Sequence, residues 1–375
     1  MIMDINKDNS EKIKTATVTF HRAVNYGAVL QCYGLNYYLN EKLGVDNYII
    51  DYDPQRTRVI PKPQMKIKSI MYFLFYLRLY PKFSKKIKKF RLFQKNYLRL
   101  TKRYYTYDEL SSSPEVFDIY ITGCDQTFNP KHKQPVPQFF YLNFVSSGSK
   151  KISYASSLGL AEVPEVFIDF VKESLQQYSH VSVRETTGQK TIQKLTKKDV
   201  FHCLDSVFLL TKNEWVELGK KADLKYKSFI LCFTVVGAGK QLELAMNVKK
   251  KLGLPVVLVT SSFNLLNGAD KIIRDASPQE FLWLFNNASY VVTDSFHGTA
   301  FSIIFRKNFF TTIVAEHTSS RITDLLNELN LISRVVEPDD GVTLDDMIID
   351  YSSIEDHLSL LIDNSKNYLK ESIFN

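Results

Sequence analysis

The chain has 375 residues, 45% of them hydrophobic and 23% charged, a composition that fits two or three folded domains and excludes disorder or low complexity. Its four cysteines (Cys32, Cys124, Cys203 and Cys232) form no CxxC pair, which excludes a zinc ribbon, an iron–sulfur site or a disulfide scaffold and reads as reduced thiols of a cytosolic protein. The N-terminus has no apolar core resembling a secretory signal, and the longest apolar run, Ile70–Leu77, falls far short of the ~20 residues that span a bilayer.

In chain order, Lys14–Phe20 reads as a strand, and the loop His21–Gly27 leads into a helix carrying Ala28, Cys32, Leu35, Leu39 and Leu43, with Gly44 as its cap. Asn47–Tyr52 is the next strand, which completes a βαβ unit and implies a parallel sheet. Residues 56–103 then hold 16 Lys or Arg and no Asp or Glu, whereas the rest of the chain has 32 basic against 40 acidic residues, so this segment carries the whole excess of the +8 net charge. It also holds nine aromatics, from Tyr72 to Tyr97. Such a stretch is either an exposed helical insertion with a solvated basic face and a buried aromatic one, or a surface for an anionic membrane; no nucleic-acid motif accompanies it.

Further strands are expected at Phe117–Thr122, Lys151–Ala155, Val181–Val183 and Val200–Leu204, with an amphipathic helix near 164–178. The alternation then repeats: strand Phe229–Val235, helix Lys240–Leu252 ending at Gly253, strand Pro255–Thr260, a capping box at Ser277-Pro278-Gln279-Glu280, and strands Tyr290–Thr293 and Phe309–Val314. The fold class is α/β: two Rossmann-like, doubly wound domains, 1–211 and 212–350, with the basic insertion at about 56–103 and a closing helix in 351–375.

Ligands of open α/β sheets bind beyond the carboxyl ends of strands, which selects a few loops. Asp294-Ser295-Phe296-His297-Gly298-Thr299 joins a strand to a helix; His297 sits at the helix N-terminus, where an anion is favoured, or it merely packs in a capping turn. Asn25-Tyr26-Gly27 has the same geometry with a single glycine. Asp125, in Gly123-Cys124-Asp125-Gln126, is an acid–base group or a cap. Arg184 can fork onto phosphate or carboxylate of a ligand, or pair with Glu185 or another carboxylate of the protein; Arg321 is a further candidate cation, or a surface helix charge. There is no GxxxxGK[ST], GxSxG or HExxH motif, and neither a metal nor a cofactor is called for.

Several blocks together resemble the polysaccharide pyruvyl transferase family: TVTFHRAVNYGAVLQCYGLNYYL, GCDQTFNP, KISYASSLG, VSVRETTGQ, CLDSVFLL and NNASYVVTDSFHGTAFSIIF. The likeness runs from about Thr15 to Arg334. It implies two domains resembling the glycosyltransferase-B fold, with the active site in the cleft between them. It also implies transfer of a pyruvyl group from phosphoenolpyruvate to a sugar of a polysaccharide precursor, as a cyclic ketal. The acceptor would be lipid-linked or nucleotide-linked, and the protein cytoplasmic or peripheral at the inner face of the membrane. On this reading His297 and Asp125 are catalytic, and Arg184, Asn25, Gly27, Ser295, Gly298, Thr299 and Arg321 bind the donor. Ser295-Phe296-His297-Gly298 departs from the Arg-Leu-His-Gly of well-studied relatives, so Arg321, Arg306 or Lys307 would supply the lost cation. The rival readings are a nucleotide-sugar glycosyltransferase and a non-catalytic member that binds a glycan or a partner.

Overall fold

The computed structural model describes residues 12–54, 70–133, 136–146, 148–235, 239–262, 267–313, 316–340, 343 and 345–375. The first part of the basic segment, 56–69, therefore lies outside the described residues.

Five strands form the first sheet: β1 (Lys14–Val18), β2 (Asp46–Tyr52), β3 (Leu100–Tyr104), β4 (Ile119–Gly123) and β5 (Lys150–Tyr154), in the order β3-β2-β1-β4-β5. Every pairing is parallel, with Thr15 opposite Asn47 on one side and Ile119 on the other. Two short parallel strands, β6 (Val181–Val183) and β7 (Val200–His202), continue beside β5 through bridges at Ile152–His180 and Ser156–Val183. The second sheet holds β8 (Ile230–Thr234), β9 (Val256–Thr260), β10 (Lys271–Ile273), β11 (Tyr290–Thr293) and β12 (Phe309–Thr311), in the equivalent order β10-β9-β8-β11-β12, again all parallel. The strands are near-continuous apolar runs, as a sheet covered on both faces demands: all five residues of β8 and of β9 are buried.

The main helices are α1 (Tyr26–Tyr37), α2 (Ile70–Tyr97), α3 (Thr186–Thr196), α4 (Gly239–Leu252), α5 (Pro278–Asn287), α6 (Phe296–Ile304), α7 (Glu316–Glu328) and α8 (Glu355–Phe374). The expected capping box opens α5: Ser277 accepts from the Glu280 N–H at 3.0 Å and Glu280 from the Ser277 N–H at 2.6 Å. Helix α8 returns to the first half of the chain, where Ser365 Oγ accepts from the Leu204 N–H and the Tyr368 hydroxyl donates to Ser153 O, both at 2.9 Å.

The basic segment is helical with buried aromatics, but it also supplies a strand, and part of its basic face is buried or paired. Its last residues supply the edge strand β3, and Phe90 and Phe93 on α2 enter the main core. Of Lys85, Lys86, Lys88, Lys89 and Arg91, the densest cations of the segment, Lys86 is 2% exposed and donates to Ser261 Oγ at 2.7 Å. Lys85 pairs with Asp275 at 3.1 Å and Lys89 with Glu280 at 2.6 Å. The acidic second half of the chain thus neutralises part of the basic stretch across the fold. Among the described residues, no helix is long and apolar enough to cross a membrane.

Candidate active site

In a doubly wound sheet the crevice opens where the strand order reverses. In the first sheet that point lies between β1 and β4; in the second, between β8 and β11. Loops from all four strands line one cavity of about 280 Å³: Phe20, Ala23 and Asn25 after β1, Asp125, Gln126 and His132 after β4, Val235 after β8, and Asp294 to His297 after β11. Arg321, on α7, completes the wall. Asn25, Asp125, Ser295, His297 and Arg321 are therefore brought together across one cleft, although 296 residues separate the first from the last in sequence.

The helix starts hold their side chains by capping. Asn25 Oδ1 accepts from the Ala28 N–H at 3.2 Å, and Ser295 Oγ from the Gly298 N–H at 3.3 Å, which leaves the first N–H groups of α1 and α6 without intrahelical acceptors beside the cavity. Three of the expected donor contacts do not reach it. A Cβ on Gly27 would lie 2.1 Å from His297 Nδ1, so Gly27 is where the imidazole rests against α1. A Cβ on Gly298 would lie 2.3 Å from Thr293 Oγ1, so Gly298 lets α6 close onto β11. Thr299 is fully buried beside Thr311, at 3.4 Å between hydroxyls.

Of the two readings of Arg184, a fork onto a ligand or a pairing with carboxylates, the fold supplies the partners for the second. Its side chain is 1% exposed, with NH1 2.5 Å from Asp205 Oδ2, NH2 3.2 Å from Asp125 Oδ1 and Nε 3.5 Å from Glu185 Oε1. The guanidinium lies 4.4 Å from the centre of the Phe296 ring. A buried charge needs partners: the two terminal nitrogens of Arg184 donate to Asp205 and Asp125, and Glu185 lies beside Nε without a hydrogen bond to it. Burial opposes its charge, but Asp205, Asp125 and Glu185 more than compensate and raise its pKa.

Asp205 is the site residue that the sequence reading missed. It follows β7 within CLDSVFLL, and a carboxylate just past a strand end was the available signal. Oδ1 accepts from the Val207 N–H at 3.1 Å, while Oδ2 takes Arg184 and lies 3.6 Å from His297 Nε2. Burial pushes this carboxyl up, but His297 and Arg184 outweigh it and hold it well below the usual carboxylate range. Asp125, at φ +62°, is likewise kept ionised: burial raises its pKa, and Arg184, His297 and Arg321 lower it further than burial lifts it. Glu185 goes the other way, because burial prevails over Arg184 and its hydrogen bond from Ser157.

Of the three cations proposed to replace the missing Arg, only Arg321 reaches the cavity. Arg306 pairs with Glu355, and Lys307 donates to Asn286 O at 2.6 Å. Arg321 NH1 lies 3.9 Å from Asp125, and both terminal nitrogens meet the Gln126 amide oxygen, at 3.2 and 3.3 Å, when that amide faces them. Burial and the nearby Arg184 lower its pKa. Among the described residues, Arg321 Nε and His297 Nε2 are buried without a hydrogen-bond partner, and buried polar atoms ordinarily have one. Both flank the cavity. Among the described residues no group of His, Cys, Asp and Glu could hold a metal ion.

The arrangement can bind an anion at Arg321 and the helix N-termini, and can move protons through His297 and Asp125. Among solved structures the chain is similar to a UDP-N-acetylglucosamine 2-epimerase, with a TM-score of 0.52 at 12% identity over 97% of this chain and 96% of that one. It is also similar to the S. aureus protein MnaA, in a structure with UDP, with a TM-score of 0.50 at 10% identity over 96% of this chain and 90% of that one. At such identity the likeness is one of fold, the glycosyltransferase-B arrangement of two parallel sheets. No curated protein matches the sequence. The family profile of the polysaccharide pyruvyl transferases matches residues 25–314, from the Asn25 cap through the His297 turn, and the chain belongs to that family.

Proposed function

We propose that this protein transfers the pyruvyl group of phosphoenolpyruvate to two hydroxyls of a sugar in a polysaccharide precursor, forming a cyclic ketal and releasing inorganic phosphate. The observation that carries this reading is the His297–Asp205–Arg184 chain beside Arg321 in the cleft of a chain that belongs to this family.

The chemistry needs a proton on the methylene carbon of the donor, which makes the central carbon electrophilic. One sugar hydroxyl attacks that carbon and loses its proton. The C–O bond to phosphate then breaks, and a second hydroxyl closes the ketal as its proton leaves. His297 suits the first delivery, with the Asp205 carboxylate 3.6 Å from its Nε2. Asp125, held ionised, is suited to accept the hydroxyl proton. Arg321 and the N–H groups that open α6 suit the phosphate or carboxylate of the donor. Arg184 acts at one remove: it fixes Asp205 and Asp125 and touches no ligand.

A nucleotide-sugar glycosyl transfer would use the same fold. Mass spectrometry of surface glycan from cells with and without this protein separates the two. Loss of a pyruvyl ketal from an otherwise complete glycan is the expected result. Loss of a whole sugar residue would instead favour glycosyl transfer.

A further inference from the structure

A second and larger cavity, of about 890 Å³, lies beside the first. Arg22, Arg91, Lys95 and Arg103 line it, with Asp53 as the one carboxylate in its wall. Like the candidate active site, it opens at the carboxyl ends of strands: Arg22 follows β1, Asp53 follows β2, and Arg103 belongs to β3. The two cavities flank a single loop. Ala23 and Asn25 face one, and Arg22 faces the other.

Two of the four cations are held in place from below. Buried Asp51 receives both Arg22, through two nitrogens, and Arg103, at 3.1 Å, as well as His21 at 3.0 Å. Burial pushes the Asp51 carboxyl up, but His21 and Arg22 outweigh it, so the carboxylate stays charged. The other two cations stand one turn apart on one face of α2, and Gln94 between them ties the helix to His21 O at 2.7 Å. Neither Arg91 nor Lys95 has an ion pair among the described residues. Among the described residues, four cations face two carboxylates here, Asp51 and Asp53. Burial, with repulsion from Arg22 and Arg103, lowers the pKa of Arg91 in spite of Asp53 and Asp51. Proteins rarely concentrate like charges in a concave site without an anion to meet them, and guanidinium forks match phosphate oxygens.

We propose that this cavity binds the phosphate or diphosphate group of the sugar acceptor, while the acceptor hydroxyls reach past the Arg22–Asn25 loop to His297. The identity of the occupant rests on the pyruvyl-transfer reading; the anion site itself does not. It gives the cationic half of α2 a role other than a solvated face.

Calorimetric titration of the full chain with inorganic pyrophosphate at physiological salt tests the site. The wild type should bind, and Arg91→Gln/Lys95→Gln should weaken binding by at least ~10-fold, since each lost charge-assisted contact is worth more than one decade. Lys82→Gln/Lys88→Gln, exposed on the same helix but outside the cavity, should leave binding unchanged. Exposed Lys95→Gln alone, which disturbs no packing, should give a smaller loss in the same direction. Two further ligands identify the source: uridine diphosphate, and phosphatidylcholine vesicles containing a polyprenyl diphosphate. The one whose binding depends on Arg91 and Lys95 names the natural linkage. No binding of pyrophosphate, or equal binding by wild type and the double variant, overturns the proposal. Intact pyrophosphate binding without turnover of phosphoenolpyruvate would sink only the pyruvyl-transfer reading.

Discussion

Asp205 carries two burdens at once, since a single oxygen faces both Arg184 at 2.5 Å and His297 at 3.6 Å. Replacing it with Asn leaves the imidazole without its anionic partner and Arg184 with one carboxylate fewer in a site that water does not reach. Asp205→Asn is therefore expected to lower kcat by ~100–10,000-fold, close to the loss from His297→Ala. It should also lower Tm, because only Asp125 and Glu185 then remain to offset the buried charge of Arg184. Arg184→Lys should reduce Tm and kcat with little change in the KM for phosphoenolpyruvate, because an ammonium cannot reach both Asp205 and Asp125 and does not itself touch the donor. Arg321→Lys should do the reverse and raise that KM. Steady-state kinetics with a melting curve on each variant distinguishes the four. A rise in KM for Arg184→Lys larger than its fall in kcat would return Arg184 to donor binding. Gly27→Ala is a further residue-scale test: its methyl would occupy the ring position of His297, so kcat should fall as steeply as in His297→Ala while the donor still binds.

Among the elements, α2 holds the least comfortable charge. Lys86 sits between the two halves, with its ammonium 4.5 Å from the centre of the Tyr26 ring and 2.7 Å from Ser261 Oγ, and burial pushes its pKa down to about 8 from 10.5. Below pH 8 the folded and unfolded chains both carry this proton, and the cost of burying the charge, on the order of 3 kcal/mol, is paid in full. Between pH 8 and 10.5 the unfolded chain binds more protons, so the penalty fades as pH rises. Lys86→Met should accordingly be more stable than the wild type at pH 7, by an amount that shrinks by pH 10. Denaturant unfolding at the two pH values checks this; a difference that does not change with pH would show that Lys86 is uncharged or solvated in the fold. The strand–helix alternation was legible in the sequence because buried parallel strands are apolar runs and their helices open with strong caps, as at Ser277 and Ser295. Strand β3 was not, because LTKRY lies on a sheet edge at the end of a basic run and reads as more of the same charge. The loops at Asn25, Asp125 and His297 were found through strand-end geometry. For Arg184 a fork to a ligand and a pairing with Glu185 or another carboxylate are both open in the sequence, and only the fold brings Asp125 and Asp205 to it.

At the scale of the molecule, the two sheets meet through α1, α2 and α5. Tyr26 stacks on Phe281, with ring centres 4.4 Å apart, and donates to Ala276 O at 2.9 Å, one residue ahead of the Gly27 that seats His297. Tyr26→Ala should cost about 3–5 kcal/mol, as large aromatic truncations in cores do, and should lower kcat by loosening the seat of the imidazole; calorimetry and turnover should fall together. The same arrangement explains why the candidate site draws on both halves of the chain: each sheet offers one crevice at its own switch point, and helix packing turns the two crevices toward each other. Pyruvyl transfer onto sugar hydroxyls in this shared cleft is tested by carbon-13 NMR of isolated precursor glycan incubated with purified protein and phosphoenolpyruvate labelled at the central carbon. A labelled ketal carbon on the sugar and stoichiometric release of phosphate are expected with wild-type protein, and neither product with His297→Ala. Label that stays in phosphoenolpyruvate with wild type on the native precursor, or a ketal signal undiminished in His297→Ala, would contradict it.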